Sequence, residues 1–221
     1  ESWMKNILFV VGGGTAEDQS FNQSLILPFI SNYVNPPPVS GIDHKAFRID
    51  NTTTVTYNYK DSVRRDINNG DLIVNFQGHA GYENWEDAMQ EPSTLDNPGK
   101  LPMVWSMTCY TGKTADNTKR SFGEKYVSMN NKGSIGFLGS TGWGFVYSGN
   151  SFQDNLYKAF ARDTMRRNGD IIKYAKSKIA FDSVGSVARH TINCYGLIGD
   201  PALTLALPVK PEFHINDNGY R

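Results

Sequence analysis

Five short apolar runs set the terms on which this chain can fold: residues 6–11 (NILFVV), 72–76 (LIVNF), 103–107 (MVWSM), 134–138 (SIGFL) and 203–207 (LTLAL). They are continuous rather than alternating in polarity, as in strands covered on both faces. Parallel strands of that kind need crossover helices, and the stretches between the runs carry helical spacing. Leu25, Phe29 and Tyr33 recur every four residues, as do Val63 and Ile67, while 152–165 and 171–181 read as longer amphipathic helices. The order strand, helix, strand predicts an α/β fold: a mainly parallel sheet, flanked by helices on both faces, with right-handed crossovers. Ligands of such sheets sit outside the carboxyl ends of the strands, so chemistry is expected just after the apolar runs. Residues 35–42, with three prolines, read as a loop. Residues 1–207 read as one domain and the polar segment 208–221 as a linker or extension toward a further domain.

The remaining bulk features mostly exclude. A chain of 221 residues with 39% hydrophobic content has enough material to bury one full core. Lys+Arg 22 balance Asp+Glu 22, which leaves no global field pointing to nucleic acid or an anionic membrane. No apolar run approaches the roughly 20 residues of a membrane span. Glu1-Ser2-Trp3-Met4 opens without a basic then apolar leader, so a processed piece of a longer multidomain chain is expected. Two cysteines make no disulfide framework. Cys109 and Cys194 are either free thiols or a single bridge formed in an oxidising compartment.

Two reactive side chains stand at strand exits. Gln77-Gly78-His79-Ala80-Gly81 follows LIVNF, and Thr108-Cys109-Tyr110-Thr111-Gly112 follows MVWSM. If those strands are neighbours, His79 and Cys109 share one crevice. A thiol with a pKa of about 8.5 is mostly protonated near neutrality, so a nucleophilic cysteine needs a nearby imidazole or positive field. The flanking glycines permit tight turns, and the backbone N–H groups of Ala80 and Cys109 are candidates for an oxyanion hole. Cys194 lacks a histidine at an equivalent strand end and reads as core; His44 and His190 read as surface or capping residues, and His214 lies in the tail. Gly112-Lys113-Thr114 matches the end of a phosphate-binding loop, but Met107 occupies the position of that motif's first glycine. Gly12-Gly13-Gly14 lacks the later glycine of a dinucleotide fingerprint and reads as a flexible loop beside the crevice. No Cys/His spacing supports a metal site.

Five blocks in order carry a family resemblance: residues 69–79 (NGDLIVNFQGH), Leu101-Pro102 before the strand ending in Thr108-Cys109, Phe122-Gly123-Glu124, 133–141 (GSIGFLGST) and 199–203 (GDPAL). The chain resembles the gingipain family of cysteine peptidases, which includes type IX secretion-system C-terminal signal peptidases. The resemblance implies a caspase-like fold, Cys109 as nucleophile, His79 as its partner, and the amides of Ala80 and Cys109 around the oxyanion. It implies a polypeptide substrate, a secreted or cell-surface location and calcium, for which no site is assignable here. Cysteine endopeptidase activity through a thioester, in the processing of secreted proteins, is the expected function. The alternatives are a transpeptidase of the same fold and an interaction domain that has lost activity. Ala80 departs from the family's usual glycine. Glu17 and Asp18 are the acids nearest to orienting the histidine; as the acidic groups of the loop 12–19 beside Cys109 they are alternatively expected to bind substrate, selecting arginine or lysine before the scissile bond. Trp143 reads either as the aromatic wall of that pocket or as ordinary core. Glu124 is expected to be structural, as a helix cap or a brace for the loop after the nucleophile.

Overall fold

The computed structural model describes residues 2–48, 58–182 and 185–208. Four of the five apolar runs are strands: β1 (Asn6–Val11), β3 (Ile73–Gln77), β4 (Met103–Met107) and β5 (Gly136–Ser140). Two further strands lie at the edges, β2 (Ile42–Phe47) and β6 (Tyr195–Gly199). The six strands run in the order β2-β1-β3-β4-β5-β6, all parallel except β6, which is antiparallel to β5. Every residue of β3, β4 and β5 is buried, which accounts for their unbroken apolar reading.

The core lies in two layers. Ile7, Phe9, Val11, Trp105 and Met107 face helices α1 (Ala16–Phe29), α4 (Val146–Tyr157), α5 (Asn168–Asp182) and α6 (Ser186–Cys194). Leu8, Val10, Val74, Phe76 and Val104 face α2 (Tyr59–Asn69) and α3 (Phe122–Val127). Alternate residues of one strand thus enter opposite layers. Two helix starts are set by local chemistry: Asn58 caps α2 by accepting from Asp61 N, and Ser121 with Glu124 forms a capping box on α3. Glu124 accepts from Ser121 N at 2.8 Å, so its carboxylate serves the helix end.

Two readings from the sequence need correction. The run 203–207 is not a strand: Thr204 makes only an isolated bridge with Arg167, while Leu205 and Leu207 pack into the first core layer. The free edge of β5 is taken instead by Tyr195–Gly199, whose two glycines and half-exposed side chains carry little strand signal. The polar strand β2 was likewise invisible as an apolar run, because only Ala46 of its six residues is fully covered. The linker expected from 208 onward lies, beyond Pro208, outside the described residues, as does His214.

Candidate active site

Strands β3 and β4 are neighbours, with Gln77 opposite Met107 as the last register pair. His79 and Cys109 each follow two residues later, so they leave the sheet side by side and line the same cleft, of about 240 Å³. Its walls come from Gly78, Met107, Trp143, Phe145, Val146 and Tyr195 among others, and among the described residues no carboxylate lines it. Thr108 Oγ1 donates to Gly78 O at 2.8 Å, tying the two strand exits together.

The turn that carries the thiol is tight. Thr111 N donates to Cys109 O at 2.7 Å, and Tyr110 holds a left-handed φ of 57°, a conformation that costs a non-glycine residue about 1 kcal/mol or more. Tyr110 N donates to Gly142 O at 2.8 Å, joining this turn to the loop after β5. Gly144 of that loop donates its N–H to Cys109 Sγ at 3.2 Å. A methyl group on Gly144 would stand 2.8 Å from the Thr108 carbonyl carbon, so glycine is what lets this amide reach the sulfur. Among the described residues the amides of Ala80 and Cys109 have no hydrogen-bond partner; Cys109 lines the cleft, and Ala80 directly follows His79, which also lines it.

His79 is 66% exposed, and its Nε2 lies 3.6 Å from Asp18 Oδ2. Asp18 therefore sits beside the imidazole rather than in the cleft, and Glu17, in the same first turn of α1, is exposed. His79 and Cys109 share no hydrogen bond. Trp143 is not core: it is 62% exposed and packs edge-on against Tyr110 at 5.3 Å. Phe145 and Val146 line the cleft with it and are likewise exposed, while exposed Tyr147, next in the chain, packs edge-on against Phe21 at 6.0 Å.

One residue here carried no sequence signal. Glu86 lies seven positions after His79, is only 11% exposed, and accepts from the backbone N–H of both Gly13 and His79 while pairing with Arg48 at 3.3 Å. It locks the loop after β1 to the loop after β3. The adjacent Trp85 stacks on Phe76 at 4.6 Å and donates to Ser106 Oγ at 2.8 Å, which anchors Glu86 over the sheet. The glycine loop after β1 is accordingly pinned rather than free: Gly12 N donates to Gln77 O, Asn22 Nδ2 to Gly12 O and Gln19 Nε2 to Gly13 O. Cys109 and Cys194 are both free thiols. Cys194 is half-buried and faces a histidine after all, His190 of the preceding helical turn, at 3.6 Å. Among the described residues no group of three or more His, Cys, Asp or Glu side chains is placed to hold a metal.

The family model described as peptidase family C25 matches residues 1–206. The chain belongs to peptidase family C25. Solved structures similar to this C25 chain include the Arg-specific cysteine proteinase gingipain R (TM-score 0.73, 16% identity, 95% of this chain and 49% of that one). A second is the complex of Porphyromonas gingivalis RgpB pro- and mature domains (TM-score 0.69, 14% identity, 95% and 50%). A third, titled as the structure of a protease, has a TM-score of 0.73 at 16% identity over 93% and 49%. These likenesses establish the caspase-like fold, and this C25 chain spans about half the length of the structures it matches. No curated protein matches the chain.

Proposed function

We propose that the chain is a cysteine peptidase domain in which Cys109 attacks and His79 transfers the proton. The observation that carries this reading is the arrival of a glycine-flanked imidazole and a thiol at adjacent strand exits in one cleft, with the amides of Cys109 and of Ala80, next to His79, unpartnered among the described residues. The Cys109 thiolate adds to the scissile carbonyl, and the two amides receive the charge that develops on its oxygen. The tetrahedral adduct collapses to a thioester as the C–N bond breaks. The imidazolium of His79 gives its proton to the departing amine, through the ring nitrogen not engaged by Asp18. Water, deprotonated by the neutral imidazole, then hydrolyses the thioester and returns the thiol. No step needs calcium.

The shape of the cleft bears on the substrate. Its walls are largely apolar and Trp143 and Phe145 stand exposed at it, while the two acids of the first turn of α1 are not among its lining residues. We take the side chain preceding the scissile bond to be large and apolar, with Asp18 acting on His79 instead of on substrate. Kinship with C25 peptidases supports polypeptides as substrates and a secreted or cell-surface place of action. Profiling a peptide library tests the substrate class: preference for aromatic or large aliphatic residues at P1 is expected, and strict arginine or lysine preference lost in Asp18→Asn would return Asp18 to the pocket.

A further inference from the structure

The peptide unit between Trp143 and Gly144 is held at both ends. Its N–H donates to Cys109 Sγ at 3.2 Å, and its carbonyl oxygen, on Trp143, lies 2.9 Å from His190 Nε2. A carbonyl only accepts, so Nε2 carries the proton and donates. In the neutral ring that leaves Nδ1 as an acceptor, and it faces Cys194 Sγ at 3.6 Å, whose S–H donates to it. The ring is further fixed by Phe145, edge-on at 5.1 Å. Four groups thus form a directed chain: Cys194 S–H to His190, His190 N–H to the 143–144 carbonyl, and the amide of that same peptide to the sulfur of Cys109.

We propose that His190 is a positioning residue for the nucleophile and that Cys194 fixes its tautomer. The inference rests on Cys109 being the attacking thiol. A donor on the carbonyl polarises the peptide and strengthens its N–H as a donor, since hydrogen bonds in series reinforce one another. It also holds the plane of the peptide, so the N–H stays aimed at Sγ when the thiol ionises. Hydrogen bonds to an ionised group favour that form, so the arrangement supports the Cys109 thiolate. Among the described residues the titratable groups around the chain include His79 in the same cleft, Tyr110 packed against Trp143, Tyr195 on β6 and Lys176 on α5. Tyr195 feels both sulfurs, and Lys176 is electrostatically coupled to Cys194.

The test is the pH dependence of alkylation at Cys109 and Cys194 separately, read by peptide mass spectrometry, together with kcat on a peptide substrate. His190→Leu removes the donor, and His190→Gln replaces it with an amide N–H near the Nε2 position. The expected result is a midpoint for Cys109 raised by about one pH unit in His190→Leu, with kcat lowered, and restoration toward the parent profile in His190→Gln. If His190→Leu does not fold, His190→Ala takes its place. Coincident Cys109 profiles in the parent and the Leu variant would overturn the proposal, as would an equal shift in Gln and Leu. If Cys109→Ala retains peptidase activity, the nucleophile assignment itself falls, and this inference falls with it.

Discussion

The imidazole of His79 is paired with Asp18 in an exposed setting, where a single ion pair contributes roughly 0–1 kcal/mol, so its worth is orientation rather than stability. His79→Ala is therefore expected to leave the fold intact and to slow acylation by about 10²–10⁴-fold, measured by burst kinetics with an activated ester. Glu86 stands differently. Its carboxylate satisfies two backbone donors and faces Arg48 under near-complete cover, so Glu86→Gln leaves one of them weakly served. A loss of about 1–3 kcal/mol by urea unfolding is expected, with a fall in kcat of about tenfold or more as the His79 loop shifts. Unchanged kcat in a folded Glu86→Gln variant would show that the clamp does not serve the site. The reactive pair was legible in the sequence because each residue follows a buried strand directly. Glu86 was not, since its partners are backbone amides 7 and 73 positions away and no side-chain motif records them.

Elements were legible in proportion to their burial. The central strands announce themselves because both faces are covered, whereas β2 and β6 are edge strands with polar or glycine-rich residues and half-exposed side chains. The run 203–207 misleads for the complementary reason: Leu205 and Leu207 are buried by packing against helices without pairing in the sheet. At this scale the loop between β3 and β4 hangs on Trp85, fully buried against Phe76, Phe122 and Tyr126. Trp85→Ala is expected to cost about 3–5 kcal/mol in urea unfolding, and a loss under 1 kcal/mol would mean the loop is held elsewhere. Gly144→Ala is expected to lower the urea midpoint and to reduce alkylation of Cys109, because the added methyl meets the Thr108 backbone at 2.8 Å and forces the 141–144 loop away from it.

For the molecule as a whole, one ion pair outside the cleft sets a pH dependence. His44 of edge strand β2 lies 3.2 Å from the wholly buried carboxylate of Asp71 at the entrance to β3. Burial pushes the Asp71 carboxyl up from 3.8 to about 6, and the carboxylate beside it raises His44 above 6.5. Both groups bind protons more tightly folded than unfolded, so stability falls as pH rises, through about 4–6 for Asp71 and again above 6.5 for His44. Urea midpoints should follow that fall in the parent and lose it in Asp71→Asn; an equal slope in both would remove the pair from the account. The central claim concerns Cys109, and it is tested most directly by labelling the folded protein with a thiol-directed peptidyl probe and locating the adduct by mass spectrometry. The account predicts modification at Cys109, abolished in Cys109→Ala and strongly slowed in His79→Ala, with Cys194 unmodified. Probe on Cys194, or on Cys109 at a rate indifferent to His79, would contradict it.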